Sequence, residues 1–183
     1  MSEINMSDHT QMSDMASKGA GSPWEMTERD PIQLELVMQL VVICSDAEAI
    51  GGSDDSKDGR RSAVYPIIGG RFEGKSIRGT VLAGGGDLPV IRPDGVQALD
   101  ALYRLKTDDG VVIIIHNKGL TYPAVDSAKE YDRLVPEFIA PQGKYGWLNS
   151  NIFLATLTET PPAMRLANGQ HENDRLIQVY RVY

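Results

Sequence analysis

Four side chains in the middle of the chain are of the types that acid–base chemistry uses. Asp87 follows a run of glycines, Asp100 and Tyr103 lie in ALDALYRLK, and Asn117 lies in VVIIIHNK. A carboxyl group can carry a proton, and burial raises its pKa toward the range that suits this task. A tyrosine hydroxyl and an amide can polarise a carbonyl or stabilise an enolate. The sequence therefore predicts these four residues as catalytic.

Each of these residues also has a structural alternative. Asp87 stands beside a glycine turn, where an aspartate commonly caps the backbone. Tyr103 could be a core aromatic residue with a satisfied hydroxyl. Asp100 lies in the middle of an expected strand, where aspartate is unfavourable, so it needs either Arg78 or Arg104 as a partner or a place in a cavity.

Four further side chains are predicted to bind a substrate: Arg78, Trp147, Asn149 and Tyr65. In WLNSNIF, period-2 alternation places Trp147 and Asn149 on one face of an expected strand. A polar residue at the end of an apolar face suits the mouth of a cavity, where a ligand needs a hydrogen-bonding partner. Packing of the Trp147 ring in the core is the alternative to stacking on a ligand.

The stretch GGRFEGKS, residues 69–76, matches the P-loop pattern of two glycines, a lysine and a serine. A P-loop needs a helix that begins at Lys75, and the following SIRGTVLAGGG is rich in glycine and β-branched residues, which oppose a helix. Glu73 would also place a carboxylate in a cradle for polyanions. We therefore interpret the glycines as bulges and corners of a curved sheet.

Charge and composition exclude several classes of partner. The 183-residue chain has a net charge of −7 and no cluster of Lys and Arg, so neither nucleic acid nor an anionic membrane is expected to bind it. One cysteine and the lack of a signal segment favour a cytoplasmic protein. The three histidines show no metal-ligand spacing and there is no C-x-x-C, so neither a metal nor another cofactor is expected.

The rest of the chain divides into a tail and a β domain. Residues 1–30 carry six acidic against two basic residues and five of the seven methionines, which predicts a flexible tail. From residue 31 to 183, at least seven strand-like runs are separated by turn sequences such as TDDG, which favours a hairpin. One short helix is expected over 126–134. This pattern predicts an all-β domain, a single antiparallel β-barrel with a central ligand cavity.

Several motifs follow one another in an order that is similar to a known family. GGRFEG is followed by GGGD, RPDG, TDDG, NKG and WLN, and the chain closes with IQVYRVY. Over residues 32–183 this order resembles the domain of unknown function 3237 family. The resemblance implies a single antiparallel β-barrel with a central cavity. It also implies fungal relatives in secondary metabolism, with cofactor-free isomerisation or cyclisation that includes chalcone-isomerase-like ring closure.

Together these features predict a cofactor-free isomerase or cyclase. Its substrate would be a hydrophobic, oxygenated small molecule, of aromatic or polyketide type, enclosed in the barrel. A non-catalytic carrier that binds the same kind of molecule is the alternative, and a homodimer is compatible with the sequence.

In the barrel, alternation places Leu99, Ala101 and Tyr103 on one face of their strand and Asp100 on the other.

Overall fold

The computed structural model describes residues 30–50, 56–123 and 130–183. Residues 1–29 of the predicted tail lie outside these ranges, so the tail stays a prediction. Residues 32–183 form one compact unit. The strands of the described residues are β1 (Leu34–Cys44), β2 (Glu48–Ala49), β3 (Arg61–Gly74), β4 (Arg78–Asp87), β5 (Val90–Ile91), β6 (Gln97–Thr107), β7 (Val112–Tyr122), β8 (Tyr131–Ile139), β9 (Phe153–Glu159) and β10 (Arg175–Val182).

Eight of these strands close into an antiparallel barrel. Their order is β1, β10, β9, β8, β7, β6, β4 and β3, and β3 then pairs with β1 to close the ring. The two short strands extend one end of the barrel, since β2 pairs with β3 and β5 bridges β3 and β6. The predicted fold class is confirmed.

Side chains alternate along each strand between the interior and the outside. In β7, Ile113 and Ile115 are fully buried, whereas Val112 and Ile114 are exposed. Full burial of such an aliphatic side chain contributes about 1.5–3 kcal/mol. Repetition of this pattern around the ring gives one continuous core.

The two halves of the barrel interior are filled differently. Phe72, Phe138 and Phe153 pack one half, and the rings of Phe138 and Phe153 meet edge to face at 5.1 Å between centroids. Toward the other end, β1 and β6 point the smaller side chains of Cys44 and Ala101 inward. That half therefore contains a chamber.

The P-loop-like stretch forms the end of β3 and a tight turn. The Gly74 amide donates to the carbonyl of Ile77 at 2.7 Å, and β4 begins at Arg78. A hairpin therefore stands where a nucleotide-binding loop would need a helix, and the rejection of the P-loop is confirmed.

Gly70 marks a bulge in β3. The pairing of β3 with β4 shifts register between Ile67 and Arg71, and Gly70 has a φ of 143°. A Cβ atom at Gly70 would lie 2.2 Å from the carbonyl oxygen of Val41 in β1. Only glycine allows the two strands to approach this closely, as the interpretation of GGRFEGKS as a strand corner requires.

A helix was predicted over 126–134, and residues 124–129 lie outside the part that the structure describes. For the described remainder the prediction is wrong. Tyr131 begins β8, in which Leu134 and Phe138 are buried while Val135 and Ile139 are exposed. This alternation buries one face of a strand against the core, which outweighs the helix-capping pattern of the preceding residues. In the described ranges, no helix has the length and apolar character needed to cross a membrane.

The strand expected at WLNSNIF begins only at Phe153. Gly146–Ser150 instead forms a 3-10 turn. The Asn149 side chain holds this turn against the end of β8, because its Oδ1 accepts from the Ala140 amide at 2.9 Å and its Nδ2 donates to the Ala140 carbonyl at 2.8 Å. The expected shared strand face of Trp147 and Asn149 does not exist.

Candidate functional site

A small chamber inside the barrel adjoins a mouth at the end where β2 and β5 lie. The inner chamber has a volume of about 50 Å³ and the mouth about 280 Å³. The two spaces are neighbours, because both are lined by Cys44, Asp87, Leu99, Leu157 and Arg175. An apolar wall with a few convergent polar groups is the usual composition of a small-molecule site.

Tyr103 and Asn117 form a hydrogen-bonded pair in the inner chamber. They lie on the inward faces of the neighbouring strands β6 and β7, and Asn117 Nδ2 donates to Tyr103 Oη at 2.9 Å. Tyr103 is 2% and Asn117 is 1% exposed. Burial raises the pKa of Tyr103 well above its usual range, so its hydroxyl stays protonated. Asn117 Oδ1 is buried and has no hydrogen-bond partner among the described residues.

Asp87, the last residue of β4, contributes a carboxyl group to the same chamber. Burial raises the pKa of Asp87, and the negative charge of Asp100 adds to this effect. The backbone amide of Asp100, which donates to Asp87 Oδ1 at 3.0 Å, acts in the opposite direction, as does the charge of Arg175. Together these contacts leave the pKa of Asp87 above its usual value, which is the direction that suits a proton carrier.

Arg175 and Cys44 also line the chamber, although sequence reasoning did not select them. Arg175 begins β10, and its Nη1 donates to the carbonyls of Glu172 at 2.8 Å and Asp174 at 3.1 Å, which anchors the guanidinium. Its spacing of two from Ile177 was the available signal for an inward side chain. Burial raises the pKa of the Cys44 thiol to about 12, with a further contribution from Asp87, so the thiol stays protonated.

Asp100 and Arg78 lie outside the chamber, which corrects their assignment to it. The Asp100 side chain is 55% exposed and accepts a hydrogen bond from His116 Nε2 on β7. The expected partners of Asp100 are engaged elsewhere, since Arg78 pairs with Asp108 at 3.0 Å and Arg104 donates to the Ala83 carbonyl. Strand alternation is the cause, because it turns Asp100 outward where Tyr103 turns inward.

Trp147 and Asn149 lie at the opposite end of the barrel. The Trp147 ring packs edge-on against Phe153 and, with Arg181, lines a separate hollow. Arg181 and Arg175 are six residues apart on β10, which is about 20 Å along a strand. Neither Trp147 nor Asn149 reaches the chamber, and Asn149 is occupied by the Ala140 backbone.

Tyr65 does lie at the mouth, directly across from Asp87 in the pairing of β3 with β4. The structure thus brings together Asp87, Tyr103, Asn117 and Tyr65 from the predicted set. Their roles in catalysis and binding stay predictions.

Other parts of the described surface offer weaker candidates. A groove of about 700 Å³ on the outside of β1 and β3 is larger than the chamber. Among its charged side chains, Arg71 pairs with Glu73 at 2.9 Å and Lys75 pairs with Glu35 at 2.9 Å. Across the described ranges, no group of three or more His, Cys, Asp or Glu side chains is arranged to hold a metal ion. The buried polar groups therefore make the chamber the candidate site.

Comparisons with known proteins agree with the barrel and bear on its chemistry. A UPF0311 protein of Clostridium acetobutylicum is 35% identical over 133 residues, which cover 66% of this chain and 83% of that protein. A hydroalkoxylation enzyme of Penicillium herquei is 30% identical over 117 residues, which cover 62% of this chain and 66% of that enzyme. The crystal structure of a beta-barrel like protein from Acinetobacter baumannii superposes with a TM-score of 0.70 at 26% identity, covering 86% of this chain and 100% of that one.

A structure of an enzyme from Penicillium herquei has a TM-score of 0.63 at 23% identity, over 86% of this chain and 99% of that one, and shows the same fold. One enzyme among the relatives makes catalysis possible for this barrel. The family profile described as "Protein of unknown function (DUF3237)" matches residues 32–182, which is nearly the whole described barrel. The chain belongs to the DUF3237 family.

Proposed function

We propose that this protein is a cofactor-free isomerase or cyclase for a hydrophobic, oxygenated small molecule of aromatic or polyketide type. One observation carries the proposal: the Asp87 carboxyl group, with its raised pKa, shares an apolar chamber with the Tyr103–Asn117 pair. Groups whose pKa is perturbed in a cleft are characteristic of sites that transfer protons. The hydroalkoxylation enzyme of Penicillium herquei supports the same class of reaction.

The reaction is an internal addition of a hydroxyl group across a carbon–carbon double bond. The oxygen forms a bond to one carbon, the π bond breaks, and the hydroxyl proton is delivered to the other carbon, so the product is an isomer of the substrate. Asp87 takes the proton from the oxygen and returns it to the carbon. General acid–base catalysis by one such group accelerates a reaction by about 10²–10⁴-fold.

Tyr103 and Asn117 hold an oxygen of the substrate during this transfer. The reacting hydroxyl oxygen gains negative charge as Asp87 takes its proton, and a hydroxyl donor beside it stabilises that charge. In a chamber of low dielectric, such a donor acts more strongly than in water. The apolar walls, including Leu99 and Leu157, hold the chain of the substrate in a folded shape close to ring closure.

Ring closure of 2′-hydroxychalcone to flavanone tests the proposal, because that probe carries a hydroxyl group, a carbonyl and a conjugated double bond. The wild-type chain should accelerate closure, followed by the loss of the chalcone absorbance. Asp87→Asn should lower the rate by about 100-fold or more while the probe still binds. Asp108→Asn, an exposed carboxylate far from the chamber, is the matched control and should keep the full rate.

The alternative function, a non-catalytic carrier, uses the same chamber and predicts a different result. In a carrier the wild-type chain binds 2′-hydroxychalcone with no acceleration of ring closure. Acceleration that survives Asp87→Asn unchanged would contradict the role given to this carboxyl group.

A further inference from the structure

We infer that the substrate group that enters the inner chamber is a hydroxyl, of a phenol or an enol, and that Tyr103 and Asn117 recognise it by donating one hydrogen bond and accepting another. The inference rests on the proposed function only in taking the chamber as the substrate site. It names the substrate class and assigns Asn117 as the residue that selects it.

The first step is the unpaired oxygen of Asn117. Its side chain is 1% exposed, lines the inner chamber, and leaves Oδ1 without a partner among the described residues. Buried side-chain acceptors are nearly always paired in native proteins, and an exception calls for an explanation. A ligand that donates a hydrogen bond to this oxygen would provide one.

The second step is the proton of Tyr103. Because Tyr103 Oη accepts from Asn117 Nδ2, its own hydroxyl hydrogen is left to donate elsewhere. The opposite orientation of the amide would have Tyr103 donate to Oδ1, and Nδ2 would then be the remaining donor and Tyr103 Oη the remaining acceptor. Either orientation leaves the pair with an acceptor and at least one donor.

The third step is the size of the chamber. The chamber, at about 50 Å³, has space for a small oxygen group, and the mouth is more than five times larger. The mouth of about 280 Å³ is where the rings would lie, between the apolar side chains of Leu99 and Leu157. The geometry thus admits one functional group of the substrate to the polar pair.

A hydroxyl group is the small oxygen group that satisfies both partners. It accepts from one member of the pair and donates to the other, whereas an ether or ketone oxygen only accepts and leaves a buried acceptor unpaired. Sites built around a substrate hydroxyl strongly reject analogues that lack it, for this reason.

Binding of three naphthalene probes tests the inference. 2-Naphthol donates and accepts, 2-methoxynaphthalene only accepts, and 2-methylnaphthalene does neither but matches the hydroxyl in size. Wild-type protein, titrated by calorimetry, should bind 2-naphthol about tenfold more tightly than either analogue, although both analogues are more hydrophobic. In Asn117→Leu the ratio of the affinity for 2-naphthol to that for 2-methylnaphthalene should fall close to one. Asn168→Leu, the same change at an exposed loop position, should keep the wild-type preference.

The wild-type comparison overturns the inference without any variant if 2-naphthol has no advantage or if none of the probes binds; the pair would then hold water. A preference retained in Asn117→Leu also overturns it. Because the readout is affinity, a hydroxyl preference without ring closure of 2′-hydroxychalcone would sustain the inference while the proposed function fails. Ring closure without a preference for the hydroxyl would support the proposed function and overturn the inference.

Discussion

Replacing Tyr103 by Phe and Asn117 by Leu together converts the polar pair of the chamber into two apolar side chains of similar size. Asn117 Oδ1 is buried without a partner in the part of the chain that the structure describes, which costs about 1–3 kcal/mol of folding free energy, whereas the Nδ2–Oη bond contributes about 1 kcal/mol net. Removing both terms should raise the free energy of unfolding by up to about 2 kcal/mol.

Neither single variant should raise the free energy of unfolding as the double variant does. Tyr103→Phe leaves both polar atoms of Asn117 unpaired and should lower the free energy of unfolding by about 1–3 kcal/mol. Asn117→Leu relieves Oδ1 but leaves the Tyr103 hydroxyl alone, so its effect should be close to zero. A double-mutant cycle therefore isolates the coupling within the pair.

Urea unfolding of the full chain, followed by circular dichroism and extrapolated linearly, measures these differences. For a chain of this size each kcal/mol corresponds to about 2–4 °C in Tm. The reasoning is refuted if the double variant loses 1 kcal/mol or more with an unchanged denaturant slope. The pair would then stabilise the fold, and the unpaired oxygen would say nothing about a ligand.

Two further predictions concern the titratable groups of the chamber. Burial raises the pKa of Asp87 above its ordinary value of 3.8. As pH rises above 3.8, the unfolded chain therefore releases this proton before the folded chain does, and the free energy of unfolding falls. Asp87→Asn should therefore be more stable than wild type at neutral pH and equal to it well below pH 3.8; equal urea midpoints at pH 7 would contradict this. With its pKa raised to about 12, Cys44 should react with iodoacetamide at pH 8 far more slowly in native protein than in urea, and equal rates would show that it is accessible.

Local sequence patterns were enough to predict most of the strands and part of the candidate site. The period-2 alternation of β6 and β7 correctly turned Tyr103 and Asn117 inward, because side-chain direction in a strand depends only on the neighbouring backbone. The same alternation turned Asp100 outward, and its choice as a catalytic residue went against that pattern. Asp87 was selected beside a run of glycines; the pairing of β4 with β6 shifts register between Leu82 and Gly86, just before Asp87, which lines the chamber.

Local sequence patterns gave wrong predictions where a contact with another segment of the chain decides the local structure. Asn149 was assigned to a strand, but its bonds to the Ala140 backbone hold it in a 3-10 turn. Residues 131–134 resembled a helix, yet pairing of β8 with β7 makes them a strand. Each partner lies nine or more residues away along the chain, so a pattern read over a few residues does not report it.

Composition, turn chemistry and alternation determined an antiparallel all-β chain and the inward direction of its polar side chains. Only the closed barrel decided which of these side chains share a space. Closure through the pairings of β1 with β3 and β10 brings Cys44 and Arg175 beside Asp87 and Tyr103, although the chain separates them widely. Strand register and barrel closure are set by packing over the whole core, and a chamber exists only once that packing is complete.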